Sequence, residues 1–167
     1  MKLNIDSVVN NAGAWTNAGV ELPRFDIADM RAQTAARPEW VHFGAGNIFR
    51  GFIGSIAQKL LDEGTSKTGI IACETFDYDI IDKIYKPFDN LTLNVLMNAD
   101  GTTSRRVLAG VAEALKADFS DDVSKERLKG IFRAPSLKML SFTITEKGYQ
   151  LRRTDGSLLP VVESDMK

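Results

Sequence analysis

The sequence predicts an α/β fold: a mainly parallel sheet with helices on both faces, preceded by an N-terminal arm and carrying β-hairpin additions. Three observations lead there. A short apolar run, Trp40-Val41-His42-Phe43, meets two glycines, Gly44 and Gly46, and then a segment whose apolar residues repeat at helical spacing. A second apolar run, Gly69-Ile-Ile-Ala-Cys-Glu74, ends on an acid. A third, Leu137 to Thr145, runs into a cluster of Thr, Glu, Lys and Gly. Continuous apolar runs mark strands buried on both faces, as in parallel sheets. Strand, glycine turn and helix is the order in which a Rossmann-type βαβ unit opens.

Composition narrows the class. At 167 residues, with 44% apolar and 26% charged side chains, the chain can bury one good core. A formal net charge of −1 gives no basic footprint for nucleic acid. No apolar run reaches the length of a membrane span, and the start, MKLNIDSVVNNAG, does not read as a secretion signal. The expected location is the cytoplasm, which also suits a lone cysteine, Cys73, set in an apolar run. One histidine and one cysteine far apart offer no metal-ligand spacing.

Residues 1–38 read as an arm. Val8, Val9, Ala12 and Trp15 give a short amphipathic helix capped by Asp6 or Ser7, and Leu22-Pro23 breaks it. Asp26 to Ala36 forms a second helix that ends before Pro38. Residues 39–167 read as a partial dinucleotide-binding domain. Residues 40–43 form the first buried strand, with His42 a hydrogen-bonded core residue. The helix from Ile48 to about Glu63 presents Phe52, Ile53, Ile56, Leu60 and Leu61 on one face, and Gly64 ends it.

After the second strand, Tyr78 to Tyr85 is helical with Ile80, Ile81 and Ile84 on one side. Leu91 to Met97 and Ser104 to Val111 pair as a hairpin. Asp121 to Phe132 is a helix stopped by Ala134-Pro135. Leu137 to Thr145 reads as a central strand, and Gln150 to Val162 as a hairpin about Asp155-Gly156. The chain stops at Lys167 without a closing strand or helix, so a fragment of a larger domain is expected.

The glycine turn supplies the chemistry. Gly44 lets the chain leave the strand tightly, and Gly46 lets a pyrophosphate approach the backbone. The helix start near Asn47 aims N–H groups at that phosphate, and Arg50 adds a charge-assisted bond. The third glycine of G-x-G-x-x-G is replaced by Phe49, and glycines also serve ordinary strand-to-helix turns, so the motif needs support elsewhere. It finds some in the acid expected at the end of the second strand to bind the adenosine ribose. Glu74 is the first choice and Asp77 the second, although the spacing from the glycines is about thirty residues against the usual twenty or so. An acid rather than an arginine there favours NAD over NADP. The Thr145-Glu146-Lys147 segment lies where open α/β sheets bind ligands.

Two stretches then carry a family resemblance. VHFGAGNIFRGFIG (41–54) looks like the opening of the mannitol dehydrogenase family, and SFTITEKGY (141–149) resembles its T-x-T-E-x-G-Y segment. Leu22-Pro-Arg-Phe-Asp26 looks like the arm of the long-chain members, polyol and hexuronate dehydrogenases, and bulky Phe49 points to the same branch. The resemblance implies an NAD-dependent oxidoreductase moving hydride between NAD and a secondary alcohol of a polyol or aldonate. D-mannonate/fructuronate is the preferred pair and mannitol/fructose the second. It matches Gly44, Ala45, Gly46, Asn47, Ile48 and Arg50 to the cofactor loop, and places Glu74 loosely at the ribose acid. Thr145, Glu146, Lys147 and Gly148 match the loop bordering the nicotinamide. The implied lysine base and its Asn and His partners, in a K-x5-N-x2-H segment of a helical domain, have no counterpart here, so no catalytic residue is assigned and the fragment alone is expected to be inactive. A second reading is a stand-alone nucleotide-binding or interaction module. A third is a Rossmann domain for another adenine nucleotide.

Overall fold

The structure, a computed structural model, describes residues 1–166, with the side chains of Glu146 and Lys147 outside that description. Its centre is a four-stranded parallel sheet. Strand β2 (Trp40–Phe43) lies between β3 (Ile70–Glu74) and β7 (Met139–Phe142), and β6 (Val111–Lys116) extends the sheet beyond β3. Period-two alternation splits β3 between two cores. Ile70 and Ala72 pack with Phe49, Ala57, Ile81 and Tyr85 on one face, while Ile71 and Cys73 pack with Leu128 and Ile131 on the other. The expected sheet with helices on both faces is therefore present.

The arm folds as α1 (Ile5–Asn10), α2 (Ala12–Asn17), the short strand β1 (Val20–Glu21) and α3 (Ile27–Ala36). Asn4, not Asp6 or Ser7, caps α1, its side chain accepting from Ser7 N at 2.9 Å. Asp26 caps α3 by accepting from Ala28 and Asp29 N–H. Val8, Trp15, Ile27 and Met30 share a core with Leu61, Leu91 and Val107.

Several elements differ from expectation. The helix after the glycine turn passes through a π-type turn, Phe49–Ile53, before α4 (Gly54–Asp62). That extra residue rotates the face, so Phe52 and Ile56 are 67% and 44% exposed while Phe49, Ala57, Gln58 and Leu61 go inward. The hairpin joins β4 (Thr92–Met97) to β5 (Thr103–Leu108), and β1 pairs parallel on the other side of β5. β5 ends early because Ala109 N–H is taken by Gln58 Oε1 at 2.9 Å. The chain then enters β6, a strand the helix-favouring residues Ala112, Glu113, Ala114, Leu115 and Lys116 disguise; pairing with β3 overrides propensity.

Asp121 caps α5 (Asp122–Arg133). β7 is an edge strand among the described residues, not a central one, because only β2 pairs with it. The last hairpin is a single bridge, Arg152 to Leu158, and Pro160 starts α6 (Pro160–Asp165).

Candidate nucleotide-binding site

The parallel strands all end at one edge of the sheet, and β3 and β7 leave β2 in opposite directions. The loops after β2 and β7 therefore flank a switch point, the place where open α/β sheets bind ligands. Gly44 sits there with φ +102°, and a Cβ on it would stand 2.6 Å from both Thr143 O and Thr143 Oγ1. Gly46 is different, since a Cβ on it would meet nothing within 4 Å. The first helical bond runs from Arg50 N to Gly46 O at 3.0 Å, so the amides of Asn47, Ile48 and Phe49 have no intrahelical acceptor.

Ala45, between the glycines, is fully buried and held from both sides. Its N–H donates to Glu74 Oε2 at 2.9 Å, and its carbonyl accepts from the Tyr85 hydroxyl at 2.8 Å. Phe49, in place of the third glycine, is buried and stacks on the His42 ring at 4.3 Å.

Below the turn runs a chain of polar groups. Trp40 Nε1 donates to Ser141 Oγ at 2.7 Å, and Ser141 Oγ lies 2.7 Å from His42 Nδ1. His42 Nε2 lies 3.1 Å from Thr143 Oγ1, which donates to Gly44 O at 3.3 Å. Indole only donates, and the Thr143 proton is committed to Gly44. The tautomer that satisfies every member carries its proton on Nε2 and accepts at Nδ1. Burial pushes the His42 pKa down to about 4, so the ring is neutral at physiological pH. Buried Cys73 is pushed up to about 12 by burial, with the Glu74 charge adding to it, which makes it a packing residue.

The sequence-derived residues fall into two groups. Gly44, Ala45, Gly46, Asn47, Ile48 and Arg50 form one continuous turn, with Asn47 and Ile48 exposed. Arg50 donates to Asn47 Oδ1 and sits 6.0 Å from the Tyr85 ring, while its Nε is shielded from solvent and has no partner among the described residues. Glu74 is only 9% exposed and adjoins this turn, whereas Asp77 is exposed and its carboxylate makes no hydrogen bond among the described residues. Thr145 is exposed after β7, and its carbonyl accepts from Gly148 N at 2.8 Å. Glu146 and Lys147 lie on the turn Glu146–Tyr149, with side chains outside the described residues. A cleft of about 350 Å³ on the β4 side of the helix start is lined by Asn47, Arg50, Gly51, Ile84, Phe88 and Asn94 among others.

The open Gly46 and the free amides fit a dinucleotide phosphate. Sequence reasoning missed Tyr85, whose buried hydroxyl required a partner, and Ser141 of β7 and Thr143 just after it, which reach His42.

No protein-family model matches the chain. All 167 residues align with D-mannonate oxidoreductase of Thermotoga maritima at 49% identity. The chain is similar to a D-mannonate oxidoreductase. The resemblance read from residues 41–54 and 141–149 is borne out, and it runs the length of the chain. The chain spans 31% of that relative's length.

The fold recurs in the mannitol 2-dehydrogenase of Pseudomonas fluorescens, solved as a ternary complex with NAD and D-mannitol. There the TM-score is 0.73 at 23% identity, over 99% of this chain and 32% of that one. It recurs also in a D-sorbitol dehydrogenase in substrate-free form, with a TM-score of 0.67 at 24% identity over 89% of this chain and 30% of that one. These two likenesses establish the fold.

Proposed function

We propose that the chain is the dinucleotide-binding part of an NAD-dependent oxidoreductase acting on a secondary alcohol of a polyol or aldonate, with D-mannonate/fructuronate preferred over mannitol/fructose. The observation that carries this reading is the turn after β2 at the switch point, where Gly46 is unhindered and the amides of Asn47, Ile48 and Phe49 have no intrahelical acceptor. Whole-chain identity of 49% with a D-mannonate oxidoreductase supports the substrate class.

On this reading residues 1–38 are an arm and 39–167 are the nucleotide-binding domain. Gly44, Ala45, Gly46, Asn47 and Ile48 receive the pyrophosphate, and Arg50 adds a charged donor. An acid after β3, Glu74 or Asp77, meets the adenosine ribose and favours NAD. Thr145, Glu146 and Lys147 border the nicotinamide end. NAD, when bound, accepts the hydride. The residues of this chain bind and orient it, and proton transfer belongs to residues elsewhere in the protein.

The test supplies the full-length protein with NAD and, separately, D-mannonate, mannitol and altronate, following NADH absorbance. Turnover of D-mannonate above the others is expected, and no turnover of any of the three refutes the substrate class. Calorimetric titration of NAD, NADP and S-adenosylmethionine separates this reading from the other nucleotide classes.

A further inference from the structure

We propose that Glu74 is a positioning residue rather than a cofactor ligand: its carboxylate staples the phosphate-binding turn to the loop after β3, and the nucleotide never touches it. This rests on the nucleotide-binding reading above for its consequence in affinity, and on geometry alone for the staple.

The two carboxylate oxygens are committed to different segments. Oε2 accepts from Ala45 N–H at 2.9 Å, across 29 residues of sequence. Oε1 accepts from the amides of Thr75 at 2.9 Å and Phe76 at 3.0 Å, with Asp77 N at 3.4 Å. The residue is 9% exposed at the end of a fully buried strand. A carboxylate offers about four lone-pair sites, and backbone donors take most of them, leaving little for ribose hydroxyls. Asp77 is three residues on and exposed, and its carboxylate makes no hydrogen bond among the described residues.

Among the described residues none of these four amides has another protein acceptor. Ala45 N–H is buried, and its carbonyl is already fixed by Tyr85. Without the Glu74 oxygen, Ala45 N–H becomes a buried orphan donor beside the residues that receive the phosphate, and the turn is free to rotate toward another acceptor. Gln at position 74 offers one oxygen where the loops need two. Its NH2 then opposes an N–H, and the single long-range contact, to Ala45, is the one with no local geometry to retain it. Asp keeps the charge and serves the local amides of residues 75–77, but it is one methylene too short to reach Ala45 as well.

The experiment uses Glu74→Gln and Glu74→Asp in the full-length protein, with two readouts. Backbone hydrogen exchange of the peptide covering residues 43–49, without nucleotide, reads the staple directly. Calorimetric Kd values for NAD and NADP read its consequence. The staple predicts faster exchange at Ala45 in both variants. It also predicts that NAD and NADP weaken together, roughly tenfold, with their ratio unchanged. A ribose ligand predicts the opposite pattern: unchanged Ala45 protection, a ratio shifted toward NADP in the Gln variant, and NAD preference kept by Asp. That pattern overturns the proposal. If the wild-type protein binds neither nucleotide, the proposed function fails, and Ala45 exchange alone then decides the staple. If Gln does not fold, Asp carries both measurements.

Discussion

Substituting each glycine of the turn by alanine separates architecture from ligand binding. At Gly44 two penalties combine. A φ of +102° is strained for an L side chain, at about 1–3 kcal/mol. A Cβ 2.6 Å from two atoms of Thr143 forces the loop after β7 aside, at about another 1–3 kcal/mol. Gly44→Ala should therefore destabilise by about 4 kcal/mol, which for a chain of this size lowers Tm by roughly 8–16 °C. At Gly46 neither penalty applies, because φ is not left-handed and the space is open. Gly46→Ala should change stability by no more than about 0.5 kcal/mol, yet on the proposed binding mode its methyl stands where the phosphate approaches, so NAD affinity should fall at least about tenfold. Thermal unfolding and calorimetry on the two variants read both effects. If Gly46→Ala melts as low as Gly44→Ala, or binds NAD as the wild type does, the assignment of the two glycines is wrong.

Phe49→Ala, halfway back to the third motif glycine, should cost about 3–5 kcal/mol, because it empties a fully buried site against the His42 ring; urea unfolding measures it, and a loss under 1 kcal/mol refutes the packing role. His42 is the only histidine, so its ring resonances can be followed by NMR without ambiguity. With a folded pKa of about 4 against about 6.5 unfolded, the unfolded chain binds the extra proton first. The ring should stay neutral down to pH 5, and stability should be complete above about pH 6.5 and lose about 3 kcal/mol as pH falls through 4. A ring that titrates near 6.5 in the folded protein contradicts its burial. Cys73 should resist alkylation in the native protein and react on unfolding, as mass spectrometry will report; modification of the native protein at the rate of the unfolded chain would disprove its burial.

Local signals in the sequence were strong where one residue does one job. Asp26 and Asp121 start their helices one residue before the first helical position, and the buried runs at 40–43 and 70–74 are strands within a residue of their expected ends. The turn from Gly44 to Arg50 was legible because its residue types are dictated by close approach and helix polarity. What periodicity could not reveal is the π-type turn at 49–53, since an added residue alters no composition while turning Phe52 and Ile56 outward. β6 was hidden by its alanine, glutamate and lysine, because strand identity there comes from β3 and not from the segment itself. Glu74 was singled out, as a ribose ligand, by its place at a strand end. That its oxygens face amides 29 residues apart in the chain depends on three-dimensional proximity alone.

The polar chain from Trp40 to Gly44 also answers a question that hydrophobicity leaves open for β7. An edge strand is aligned by which side chains it buries, yet Met139, Leu140 and Phe142 are all about half exposed, so sliding the strand changes its apolar burial little. A shift of two residues keeps each side chain on its face but carries Ser141 and Thr143 away from Trp40, His42 and Gly44. Several buried donors and acceptors are then stranded at about 1–3 kcal/mol apiece. His42 and its hydroxyl partners thus work as a key cut for one alignment of β7 against β2, and that alignment sets where the loop after β7 stands relative to the glycine turn.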